Sequence, residues 1–172
     1  MNEKIWKVYL SGEIHSDWRE QIADGVAKAG LPVVLNAPVT VHEDSDDCGV
    51  AILGTEDSVF WHDHKGALLN SVRTSTLIAD ADVVVVRFGE KYKQWNAAFD
   101  AGYAAALGKP LIILHQAEHN HALKEVDAAA KAVARDPHQV VEALAYAIRG
   151  VPAAAMVRQA GGGVIAQRSI GN

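Results

Sequence analysis

The chain has 172 residues, 49% of them apolar and 22% charged, with a net charge of −5. That composition fits one globular domain with a real core, and its mixed acids and bases speak against a nucleic-acid or membrane partner. A single cysteine, Cys48, excludes an internal disulfide and points to a cytosolic setting; the N-terminal apolar run is too short for a signal peptide, and nothing approaches the ~20 apolar residues of a membrane span.

Residues 5–10 form a short apolar run that stops at Ser11 and Gly12, and predict the first strand. Asp17 opens a helix, with Glu20 at capping-box spacing. Trp18, Ile22, Val26 and Ala29 make one apolar stripe, and Gly30 ends it. Residues 32–35 are a second apolar run. Two such strands, apolar on both faces and joined by a helix, suit a parallel sheet covered by helices. Residues 37–55, with the acidic and turn-rich HEDSDDCG, predict an exposed loop. Within 64–79, Leu68, Leu69, Val72 and Ile78 fall at roughly helical spacing. Residues 82–88 hold four successive valines and are the clearest buried strand. A helix follows, stopped by Gly108 and Pro110. Residues 111–114 predict a fourth strand, 121–131 a helix, and 132–134 a short fifth strand. Asp136 and Pro137 start the last helix, with Val140, Val141, Leu144 and Ile148 inward and Gly150 closing it.

This alternation predicts a flavodoxin/Rossmann-like three-layer α/β/α sandwich. Its five-stranded parallel sheet has the expected order 2-1-3-4-5, with right-handed crossovers. Residues 1–150 form the domain. From 151 to 172 the pattern dissolves into a flexible or partner-wrapping tail.

Ligands of such sheets bind beyond the carboxyl ends of the strands, where strand order reverses. Here that point lies between the first and third strands, where residues 11–16 and 89–96 meet. Asn70, Arg73 and Thr74, on the helix entering the third strand, reach the same edge. Asp82 lies at the opposite edge and reads as a structural cap. With Asn96 as helix cap, Asp100 falls in the first turns, where the helix dipole favours a carboxylate. A purely solvated acid suits that position too.

The stretch ADVVVVRFGEKYKQWNAAFDAGYAAALGKPLIIL resembles the nucleoside 2-deoxyribosyltransferase superfamily, whose helix reads roughly G-x-x-x-E-x-G-Y-A-x-x-x-G-K-P. VYLSGEIHSDWR at the first strand, taken with FGEKYKQWNAAFDAGYA, is similar to its YtoQ branch. The resemblance spans about residues 5–116. It implies a helix carboxylate that attacks C1′ of a deoxynucleoside, expels the base and forms a glycosyl ester, later resolved by a second base or water. Asp100 occupies the nucleophile's position, and Tyr9 that of the strand-1 tyrosine supporting it. Three positions depart from the family. Aspartate replaces glutamate, retracting the oxygens by about 1.5 Å, one C–C bond. Gln94 and Thr74 stand where acids usually hold the sugar or base. Relatives complete their sites across subunits. The resemblance therefore implies a homo-oligomer, which the smooth alanine face of residues 97–106 also suits.

Around this crevice, Gly12, Glu13, His15, Arg19, Trp95 and Asn96 are further substrate-binding candidates. The SGEIHS loop has the glycine of an anion site, but Glu13 carries the wrong charge for phosphate, with Arg19 as the offsetting cation. Glu13 and His15 suit hydroxyl contacts or acid–base work. Trp61, Trp95 and Tyr92 are aromatics available to stack on a base. Arg87, Lys91 and Lys93 form a small basic run. His42, His62 and His64, and again His115, His119 and His121, are clustered, but without the partners of a typical zinc site. Three readings follow: an N-glycoside-directed enzyme needing no cofactor or metal, a nucleoside-binding module that lost the chemistry, and a metal-dependent hydrolase.

Overall fold

The computed structural model describes residues 3–91 and 94–155. Tyr92, Lys93, tail residues 156–172 and the side chain of His42 lie outside the described residues. Five parallel strands, β1 (Trp6–Gly12), β2 (Val33–Asn36), β3 (Val83–Arg87), β4 (Leu111–Leu114) and β5 (Ala132–Ala134), pair in the order β2-β1-β3-β4-β5, as expected. Between and after them run α1 (Trp18–Lys28), α2 (His42–Leu53), α3 (Val59–Asp80), α4 (Trp95–Ala106), α5 (Lys124–Ala129) and α6 (Pro137–Arg149).

The strands are apolar on both sides because each side has its own core. Val8, Leu10, Val83, Val85, Ile112 and Leu114 meet α1 and α6. Tyr9, Val84, Val86, Leu111 and Ile113 meet Ile78 of α3 and the alanines Ala97, Ala101 and Ala104 of α4. Alternation along β1 thus sends Tyr9 and Ser11 toward α3 and α4. The alanine face predicted to receive a partner helix is covered by the chain's own sheet. Small side chains there let α4 lie close to the strands.

Residues 42–53, expected as loop, are helical. Glu43 and Asp44 sit in the first turn of α2, where acids complement the helix dipole. Two glycines let α2 press against α3. A Cβ at Gly49 would stand 2.3 Å from Gly66 N, and one at Gly66 would stand 2.8 Å from Asp46 O. The contact is made by backbone rather than by an apolar stripe, so hydrophobic periodicity does not reveal it. The helix predicted over 121–131 is shorter, because a 3₁₀ turn (Ala117–His119) and further turn residues precede Lys124. The capping box at Asp17 is not formed: its carboxylate accepts from the Gln21 side chain at 2.8 Å instead. Asp136 does cap α6, accepting from Gln139 N at 2.9 Å. Beyond Gly150 the described residues turn back, with Ala153 buried and Ala154 N bonded to Glu142 at 3.0 Å. Among the described residues no helix is long and apolar enough to cross a membrane.

Candidate active site

A cavity of about 850 Å³ opens beyond the carboxyl ends of β1 and β3. Its walls come from the β1 loop, α2, α3 and the start of α4. It brings together Gly12, Glu13, His15, Asn70, Arg73, Thr74, Gln94, Trp95, Asn96 and Asp100 of the predicted residues. Tyr9 and Arg19 lie outside its lining.

Asp100 is one of two buried acids of this cavity, 9% exposed against 6% for Glu13. Helix α4 begins at Trp95, so Asn96 lies inside its first turn rather than at its cap, and Asp100 in the second. Gln94 takes the cap position, but its side chain turns back into the preceding loop. It accepts from Gly89 N at 2.8 Å and donates to Lys91 O at 2.7 Å. The Ser11 hydroxyl donates to Asp100 Oδ2. Oδ1 accepts no hydrogen bond among the described residues, and no buried side-chain oxygen there lacks a partner, so Oδ1 opens to the cavity. Burial pushes the Asp100 carboxyl above its ordinary pKa, and the Ser11 bond pulls the other way.

The expected support of Asp100 by Tyr9 is not a direct bond. The Tyr9 hydroxyl points to Thr74 Oγ1 at 3.5 Å, the outer limit of a hydrogen bond. Burial raises the phenol's pKa; the Thr74 contact opposes this, and the charge of Asp100 adds to it. Tyr9 therefore stays neutral beneath the site.

Glu13 and Arg19 hold the loop rather than face the cavity freely. Burial alone would raise the Glu13 carboxyl. Its bonds from Ser16 and His15 N, with Arg87 beside it, more than offset this and hold it below its usual value. Arg87 Nε reaches Glu13 Oε1 at 2.9 Å. Arg19 donates to three β1-end carbonyls, Leu10 at 3.1 Å, Gly12 at 3.1 Å and Glu13 at 2.8 Å. Trp18 adds a fourth bond, to Glu13 O at 2.9 Å. Arg19→Ala is expected to destabilise the fold by roughly 2–4 kcal/mol, because the carbonyls of Leu10 and Gly12 lose their side-chain donor while that of Glu13 keeps Trp18. An unchanged denaturation midpoint would contradict that.

On the other wall, Asn70 ties α3 to α2 through Ser45 O at 2.9 Å, and Arg73 reaches Ala37 O at 3.2 Å. Two aromatics of α4 escaped the sequence reading. Phe99 and Tyr103 line the cavity beside Asp100, their rings parallel with centroids 6.5 Å apart. Their spacing from Trp95, i, i+4 and i+8, was visible, but a stripe of this kind usually packs inward. Here Trp95 and Phe99 are each 72% exposed. Trp61 is elsewhere, edge-on to Phe60 at 5.0 Å.

Asp82 is structural, as predicted, bonded to Lys4 at 2.6 Å and to Lys7 N at 2.9 Å. Three of the clustered histidines serve the scaffold too. His62 lies 3.2 Å from Asp47, and His115 lies 3.1 Å from Asp127 in the protein interior. His119 contacts Gly89 O at 3.2 Å. Among the described residues no three His, Cys, Asp or Glu side chains converge as a metal site requires.

Residues 9–148 match the family described as Nucleoside 2-deoxyribosyltransferase YtoQ. The chain is 43% identical over 139 residues to the uncharacterized protein YtoQ of Bacillus subtilis strain 168, covering 81% of this chain and 94% of that one. A conserved protein from Enterococcus faecalis V583 shares the fold, with a TM-score of 0.56 at 15% identity, covering 82% of this chain and 98% of that one. A 2-deoxyribosyltransferase from Bacillus psychrosaccharolyticus aligns with a TM-score of 0.49 at 15% identity, over 78% of this chain and 90% of that one. With the family match spanning nearly the whole sheet and its helices, the chain belongs to the nucleoside 2-deoxyribosyltransferase YtoQ family.

Proposed function

We propose that the chain cleaves or exchanges the N-glycosidic bond of a nucleoside or related N-glycoside, with Asp100 as nucleophile. The observation that carries this is the half-used carboxylate, with Oδ2 held by Ser11 and Oδ1 open to the cavity. Family membership supports the substrate class. Oδ1 attacks the anomeric carbon as the C–N bond breaks. The bonding pair leaves on the base nitrogen, which takes a proton; His15 lines the cavity and is the candidate donor. Water or a second base then attacks the same carbon, returning its proton to His15, and the ester oxygen recovers its pair as carboxylate. Trp95 and Phe99 offer exposed faces on which the base can stack. No cofactor enters these steps. Cys48, a free thiol, fits a cytosolic protein.

The test is a panel of deoxynucleosides, ribonucleosides and their 5′-monophosphates, followed for release of free base. Plain nucleosides are expected to react better than monophosphates by at least about tenfold, or roughly 1.4 kcal/mol. Arg19 is spent on carbonyls and Arg87 on Glu13, so neither is free for a phosphate. A preference for monophosphates would reverse that expectation.

One observation favours a binding module without chemistry: Thr74 and Gln94, at the acid positions, serve the protein's own contacts. That reading takes over if no panel member reacts while a nucleoside raises the melting temperature. We also propose a homo-oligomer, at least a dimer. Phe60, Trp61, Ile52 and Leu53 leave a large apolar surface on α2 and α3. Light scattering is expected to give at least a dimer; a monomeric mass at high concentration would refute it.

A further inference from the structure

The chain's departure from glutamate to aspartate leaves a carboxylate one methylene shorter, and the structure shows what holds it. Ser11 is the last inward-facing residue of β1, opposite Val86 in the pairing with β3. It is 1% exposed. Its hydroxyl donates to Asp100 Oδ2, the single hydrogen bond that this carboxylate accepts among the described residues. The backbone under Ser11 is itself fixed, because Arg19 gathers the Leu10 and Gly12 carbonyls on either side of it and Trp18 holds that of Glu13.

We propose that Ser11 is the positioning residue of the site: it anchors Oδ2 of Asp100 to the end of β1 and so presents Oδ1 to the cavity. This rests on Asp100 acting as nucleophile, but it assigns a residue and an oxygen that the family resemblance does not. An aspartate has two side-chain torsions, and in a roomy cavity an unanchored carboxylate would sample rotamers in which neither oxygen reaches the anomeric carbon. Fixing one oxygen on a strand end removes that freedom. The bond also favours the ionised form, against the burial that disfavours it.

The test uses the full chain with Ser11→Ala and, as a weaker donor of similar size, Ser11→Cys. Asp100 is followed by carbon-13 NMR of its carboxyl across pH, with Asp100→Asn identifying the signal. The titration midpoint is expected to rise in the order parent, Cys, Ala. In parallel, kcat should fall by about 10- to 100-fold in the alanine variant with KM little changed, since a misplacement near 1 Å costs about that much. The acid limb of the pH profile should move up with the midpoint. An Asp100 midpoint that is the same in all three folded proteins overturns the proposal. The two readings fail separately. If the parent releases no base from any substrate while the midpoint shifts, the nucleophile reading falls and the anchoring stands. If the parent is active and Ser11→Ala matches it in rate and acid limb, the anchoring falls and the nucleophile reading stands.

Discussion

Asp100→Asn is expected to abolish base release while making the protein more stable at neutral pH. The amide keeps the shape and still accepts from Ser11, but it cannot attack carbon. Loss of a nucleophile removes catalysis as a unit, so a fall of at least about a thousandfold in kcat is expected. The stability gain follows from the direction of the carboxyl's shift. Burial raises the folded-state pKa above the unfolded one. Between those two values the folded protein binds more protons than the unfolded chain, so stability falls as pH rises through that window. Above the raised folded-state value the whole cost of a buried carboxylate is present. The asparagine variant carries none of it and should melt higher than the parent at pH 7, with the difference vanishing below the ordinary carboxylate range. The parent's activity should disappear on acidification at a higher pH than an exposed aspartate would give. Equal activity in parent and variant would remove Asp100 from the mechanism. Equal melting at pH 7 would mean that its burial costs nothing.

The sheet and its order were legible because each strand is a short apolar run and each crossover is marked by caps, glycines and prolines. The crevice followed from strand order alone, and with it the neighbourhood of Asp100, Asn70, Thr74 and Gln94. Helix α2 was not legible. Its acids read as loop, and the glycine pair that joins it to α3 leaves no apolar period. The bonding inside the crevice was also hidden. Glu13 and Arg19 look like ligand-binding charges in a linear reading, yet the chain folds them onto its own loop. Ser11 looks like a strand terminator, and only its register opposite Val86 shows that it faces α4. The side chains that bind the loop and those that face a ligand are of the same polar types, so sequence separates them only when geometry is added.

Gly12→Ala is expected to be among the most damaging single methyl groups that can be added to this protein. Gly12 closes β1 with φ at 110°, a conformation that a side chain disfavours. A Cβ there would stand 2.0 Å from the carbonyl oxygen of Arg87. That oxygen belongs to the paired β3 strand and accepts from Glu13 N at 3.2 Å, so it cannot step aside alone. Either β1 and β3 separate at their carboxyl ends, or the loop after Gly12 turns out of register. Both movements displace Ser11, and Ser11 carries Asp100 with it. Strain and overpacking together should cost at least about 3 kcal/mol, which corresponds to roughly 6–12 °C in melting temperature for a chain of this size. Gly30→Ala provides the comparison. Its φ is also positive, at 59°, but nothing lies within 4 Å of the added methyl. Dihedral strain alone should cost about 1–2 kcal/mol there and leave the site untouched. If the two variants lose the same stability, the close approach of the two strands is not what demands glycine. If Gly12→Ala melts early but any folded fraction retains full kcat, the end of β1 does not set the position of Asp100.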